Sequence, residues 1–116
     1  MKVLALIYGD EARWESASDE QRNAVMAQYR AFGEAADGKI LDGAELASTR
    51  AATTVRVRNG ETVVTDGPFA ETKEQLGGFY LFEVESLEEA AELAAGIPAA
   101  AEGAVELRAA HEEDSE

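Results

Sequence analysis

Thr53-Thr54-Val55-Arg56-Val57-Arg58-Asn59-Gly60-Glu61-Thr62-Val63-Val64-Thr65-Asp66 decides how the rest of the chain is parsed. An Asn-Gly pair between two β-rich runs predicts a hairpin with a type I′ turn, because both turn positions need positive φ and these residues accept it at least cost. A two-residue loop also sets the register. Arg58 falls opposite Glu61, Arg56 opposite Val63, and Val55 opposite Val64. Val55, Val57 and Val64 then share one face, and Arg56, Arg58 and Glu61 share the other.

On the N-terminal side, Val3-Leu4-Ala5-Leu6-Ile7-Tyr8 is apolar on both faces, as a central strand is. Gly9-Asp10-Glu11 ends it, and Trp14 reads as part of the loop that follows. Ser18-Asp19-Glu20-Gln21 fits a capping box with acids in the first turn. Val25, Tyr29, Phe32 and Ala36 recur at helical spacing behind it, and Gly38 stands where a helix would stop. Lys39 to Leu46 reads as a weaker strand, softened by Gly43. On the C-terminal side, Asp66-Gly67-Pro68-Phe69 makes a sharp turn, and residues 70–75 read as polar chain with one helical turn. Phe79 to Glu85 is a second strongly apolar strand. Ser86-Leu87-Glu88-Glu89 caps a helix carrying Leu87, Ala90, Ala91 and Ala94, which stops at Gly96 and Pro98. Val105, Leu107 and Ala109 alternate with Glu106 and Arg108 in a last strand.

With the hairpin set aside, the order is βαββαβ, a ferredoxin-like α+β arrangement. Right-handed crossovers put both helices on one face of the sheet. The other face is left bare, although Val3–Tyr8 and Phe79–Val84 are apolar on both sides. Two sheets packed face to face in a symmetric homodimer would cover it.

Composition narrows the function classes. The 116 residues make one domain, read as 1–110, followed by an acidic tail at 111–116. Ten Lys and Arg against 24 Asp and Glu give a net charge of −14, which argues against nucleic acid and anionic membranes. With no Cys, disulfides, thiolate metal sites and a Cys nucleophile are excluded. No apolar run reaches the ~20 residues of a membrane span. The N-terminus reads as a strand and not a signal peptide, so a cytoplasmic protein is expected. The apolar fraction is 46%, but 23 of those residues are Ala and only 30 are bulky, a thin core for a lone domain.

The segment Thr65-Asp66-Gly67-Pro68-Phe69-Ala70-Glu71-Thr72-Lys73-Glu74-Gln75-Leu76-Gly77-Gly78-Phe79-Tyr80-Leu81 resembles the signature of the YCII-related proteins, in particular their DGPF-type subgroup. Leu6-Ile7-Tyr8-Gly9-Asp10-Glu11, the hairpin and Ile97-Pro98-Ala99-Ala100 carry the resemblance over nearly the whole chain. It implies a dimeric α+β barrel of ferredoxin-like subunits. It also implies either an enzyme, through a His–Asp pair that many members hold in a cleft, or a regulatory module beside an extracytoplasmic-function sigma factor. This chain departs from that pair. It has no His between Ser18 and Asp37, Tyr29 lies nearest the position, and the acid corresponds to Asp37 or Asp42. General acid–base catalysis by the pair therefore lacks its His.

The remaining candidates are few. Asp66 could enter a cleft with Phe69 as an apolar wall, although turn chemistry alone explains an Asp cap and a core Phe. Thr72 and Lys73 could hold a polar ligand or move a proton; the simpler reading is a solvated loop with Lys73 paired to a nearby acid. Arg56 could bind an anion, or else cover Val63 with its stem. Tyr8 could aim its hydroxyl into a cleft. Asp66, Lys73 and Tyr8 are thus the catalytic candidates, and Arg56, Asp66, Phe69, Thr72 and Lys73 the ligand-binding ones. His111 has no second ligand at suitable spacing, and Gly77-Gly78 lacks the strand-to-helix setting of a phosphate loop, so neither metal nor cofactor is expected. Two function classes follow: a homodimer with a cleft for a small polar molecule, possessing an unassigned reaction if it is an enzyme, and a non-catalytic module meeting a basic protein partner.

Overall fold

Eight residues from Lys2 to Gly9 form β1, and Gln75–Glu83 form β5, which pairs with it antiparallel through the centre of a four-stranded sheet. The computed structural model describes residues 1–111. The outer strands are β2 (Ile40–Glu45) and β6 (Ala104–Ala109), giving the order β2-β5-β1-β6 with every neighbour antiparallel. That is the ferredoxin-like order expected for βαββαβ. Two further strands, β3 (Thr53–Arg58) and β4 (Glu61–Asp66), form a separate two-stranded sheet.

Helix α2 (Asp19–Ala35) starts at Ser18, whose hydroxyl accepts from Gln21 N while the Gln21 side chain accepts from Ser18 N. The expected capping box is therefore complete. Helix α3 (Leu87–Ala94) starts at Ser86 in a variant of it: Ser86 Oγ accepts from Glu89 N, but the Glu89 carboxylate reaches Glu85 N, one residue earlier. Two short helices were not legible. α1 (Glu11–Glu15) follows β1 directly, with the Asp10 carboxylate as its N-cap, so Trp14 sits on a helix and not in a loop. α4 (Ala99–Glu102) opens after Pro98. The helical turn expected in 70–75 is absent; that segment bends until β5 begins at Gln75.

α2 and α3 cover one face of the sheet. Phe32 and Ala36 from α2, Ala90 and Ala94 from α3, and Ile97 meet Val3, Ala5 and Phe82 in the core. Phe32 tilts against both Tyr80 and Phe82, with ring centroids 5.2 and 6.4 Å away. Gly43 shows why β2 needs a glycine: a Cβ there would lie 2.8 Å from the Tyr80 ring. Alternation along β1 and β5 turns Leu4, Leu6, Phe79 and Leu81 to the opposite face, which no helix among the described residues covers. No helix among the described residues is long and apolar enough to cross a membrane.

The hairpin register matches expectation residue for residue: Arg58 opposite Glu61, Arg56 opposite Val63, Val55 opposite Val64. Asn59 and Gly60 both have positive φ, 53° and 79°. One detail differs. The Arg58 guanidinium turns back to the Val57 carbonyl at 3.0 Å instead of reaching Glu61. The hairpin also stands clear of the body. Val55, Val57 and Val64 are 61%, 60% and 61% exposed. The radius of gyration is 16.4 Å, against about 13 Å for a compact domain of about 100 residues.

Candidate functional site

The concavity that gathers side chains from several elements lies where the hairpin leaves the body. It encloses about 240 Å³ and is lined by Thr49 and Arg50 on one side and by Pro68, Ala70, Glu71, Thr72 and Gln75 on the other. A wider hollow of about 500 Å³ is lined by Arg30, Gly33, Glu34 and Asp37. Those four residues all belong to α2 and the turn after it, so the hollow is a groove along one helix with no convergence of groups.

A chain of hydrogen bonds builds the smaller cleft. Ser48 caps a single 3-10 turn, Thr49–Ala51, by accepting from Arg50 N at 3.1 Å. The Glu11 carboxylate then takes both donors of Thr49, the backbone N–H at 2.6 Å and the hydroxyl at 2.7 Å. Glu11 N in turn donates to Gln75 Oε1 at 3.0 Å, and the Gln75 amide donates to the Thr72 carbonyl. Four residues after Glu11, one turn along α1, Glu15 pairs with Arg50. Arg22 of α2 holds α1 from behind through the Trp14 and Glu15 carbonyls, with its guanidinium 5.7 Å from the Trp14 ring centroid. The bonds from the Glu11 and Glu15 carboxylates are charge-assisted, the stronger class, and fix the 3-10 turn to α1 as one wall, while the neutral Gln75 bonds tie the opposite loop to it. Across the cleft, Thr72 Oγ1 donates to the Glu74 carbonyl at 2.6 Å.

The lining residues carry one guanidinium (Arg50), one carboxylate (Glu71), two hydroxyls (Thr49 and Thr72) and one side-chain amide (Gln75). Such groups can donate and accept hydrogen bonds to a small polar molecule. The volume lies below the roughly 300–1,000 Å³ usual for drug-sized ligands.

The sequence candidates are placed apart. Thr72 lines the cleft; Asp66, Lys73, Arg56, Phe69 and Tyr8 do not. Asp66 ends β4 opposite Thr53. Phe69 is 79% exposed, neither a core residue nor an inner wall. Arg56 lies on the hairpin, opposite Val63. Tyr8 lies on β1, opposite Leu76 and Ala104, and its hydroxyl donates to Glu106 at 3.4 Å. Of the two acids considered as the family carboxylate, Asp37 borders the α2 groove, and Asp42 stands opposite Leu81 on the uncovered side of the sheet. His111 is exposed at the end of the described residues. Tyr29 packs half-buried against the core, where desolvation and then Tyr80 push its phenol above the ordinary value; burial alone does the same for Tyr80. Sequence reading missed Thr49, Arg50 and Gln75. A signal was present in Ser48-Thr49-Arg50, whose hydroxyl cap marks a turn that fixes an Arg.

A model of the YCII-related domain matches residues 1–113. An uncharacterized protein of Rhizobium meliloti strain 1021 is 47% identical over 98 residues, covering 81% of this chain and 77% of that protein. Together with the ferredoxin-like strand order, these matches place the chain in the YCII-related family.

Proposed function

We propose that the chain acts as a homodimer, paired through the uncovered face of its sheet, and that the cleft at the root of the hairpin binds a small polar molecule. The convergence of Arg50, Thr72 and Gln75 on one cleft, held by the Glu11 and Glu15 carboxylates, carries the binding reading. The apolar pairs Leu4–Leu81 and Leu6–Phe79 on a sheet face without helices support the dimer. The 65–81 signature fits the DGPF-type subgroup within the family.

The binding reading is tested by titrating pools of small polar metabolites into labelled protein and following amide shifts. Shifts centred on Thr49, Arg50, Thr72 and Gln75, lost in Arg50→Ala, are expected. Shifts centred elsewhere, or none, reject it. The catalytic candidates from the sequence, Asp66, Lys73 and Tyr8, do not line this cleft. The dimer is tested by light scattering, where twice the 12.4 kDa chain mass is expected and a monomer at micromolar concentration rejects it.

The net charge of −14 supports a second reading, a regulatory module that meets a basic protein partner such as an extracytoplasmic-function sigma factor. It requires association that weakens steeply with added salt; salt-independent or absent association rejects it.

A further inference from the structure

We propose that the β3–β4 hairpin is a dimerisation arm that lays its Val55, Val57 and Val64 face on a second copy of this chain. The inference rests on the homodimer reading above and adds to it.

The hairpin is well specified locally and unsupported tertiarily. Its turn and register are those its residues demand, yet its substantial contacts are internal to the two strands. An isolated two-stranded hairpin is marginal in water, and this one exposes about three-fifths of each of three valines on one face. Its base is closed on itself, where Gly67 N donates to the Ala52 carbonyl and Thr54 Oγ1 to the Gly67 carbonyl.

Area points to a second copy. The uncovered sheet face, four strands wide, spans about 19 Å by 20 Å, on the order of 400 Å². A standard stable interface takes about 800 Å² from each partner. One hairpin face adds roughly 200 Å². In a two-fold dimer each copy both offers an arm and receives one, so this contribution doubles and closes the gap. Charge points the same way. Arg56 and Arg58 balance Glu61 and Asp66 on the hairpin, so the whole formal charge of −14 resides on the rest of the chain. With no net charge, the arm can approach an acidic second copy without like-charge repulsion.

The test compares faces at constant charge. Val55→Ser with Val64→Ser removes apolar surface from the docking face; Val63→Ser removes it from the other. Analytical ultracentrifugation of the full chain is expected to show the dimer dissociation constant raised at least tenfold by the first pair and less than twofold by the second. The thermal midpoint of the dissociated chain should be unchanged in both, since the arm supports none of the core. The chain has no Cys, so a benzophenone on Val57→Cys reports its neighbour uniquely. Photolysis of the purified protein should give a covalent dimer. A dimer whose dissociation constant ignores Val55→Ser/Val64→Ser overturns the arm and leaves the sheet-face dimer standing. A wild-type chain that is monomeric throughout overturns both. Crosslinks that form only with a different added protein overturn the second copy as occupant.

Discussion

Body and arm are written in the same local pattern and end in opposite states. Val3, Ala5 and Phe82 alternate on strands and are fully buried; Val55, Val57 and Val64 alternate on strands and stand about 60% exposed. A strand becomes core only when a second layer lies on it. The stretches after β1 and β5 contain helices with apolar faces, which fold back over the sheet. The stretches flanking the hairpin contain a 3-10 turn on one side and a polar loop on the other, so nothing among the described residues covers its valine face. Alternating apolar residues thus specify a strand face, and the neighbours in sequence decide whether the same chain buries it.

The largest expected effect separates the two regions directly. Phe82→Ala should destabilise the body by about 3–5 kcal/mol in urea unfolding, because its ring is fully buried between Phe32 and Tyr80. Val57→Ala, measured where the chain is monomeric, should change stability by no more than ~0.5 kcal/mol. Equal losses would erase the distinction. Next come two backbone devices of similar strength in different regions. Ser18→Ala removes the α2 capping box and should lower the body's stability by about 1 kcal/mol. Gly60→Ala strains a residue at φ 79° by about 1–2 kcal/mol. It should leave the body's midpoint in place and weaken cross-strand NMR contacts between Val55 and Val64.

The smallest effect sharpens the body alone. Lys39 Nζ meets Glu89 Oε2 at 2.7 Å, tying the start of β2 to α3. The hydrogen bond from Lys39, and then that from Glu85 N, hold the Glu89 carboxyl below its ordinary range; the bond to Glu89 raises Lys39. Glu89's share of stability is therefore complete above the ordinary carboxylate range and is lost as pH falls through its lower folded-state value. Lys39's share is complete below the ordinary ammonium range and is lost as pH rises through its higher folded-state value. Glu89→Gln should flatten both limbs of the thermal midpoint against pH, slightly because the pair is solvated, without altering hairpin contacts.

Much of the fold was legible because its signals are short-range. Asn59-Gly60 demanded a turn, which set the hairpin register, and Ser18 and Ser86 marked two helix starts to the residue. The short α1 and α4 were missed because one turn of helix has no apolar period to read; α1 is held by the Asp10 cap and by the distant partners Arg22, Thr49 and Arg50. The cleft was barely legible. Of its lining residues only Thr72 was singled out, because Thr49, Arg50 and Gln75 come together through Glu11 and Glu15, 35 to 64 positions away in the chain. Phe69 was misread as apolar wall or core because an aromatic beside Gly67-Pro68 looks like a packing anchor, while the loop turns it outward.

By itself, the amino-acid sequence determined the strand and helix order, the hairpin and its register, the acidic charge, and a sheet with apolar residues on both faces. These follow from period, capping and turn chemistry, which act within a few residues. Tertiary structure decided the rest: which face the helices cover, that the hairpin stands off the body, and that Arg50, Thr72 and Gln75 share a cleft. Those depend on contacts between distant segments, and the free energy of such contacts comes from burial and hydrogen-bond partners that no local window contains.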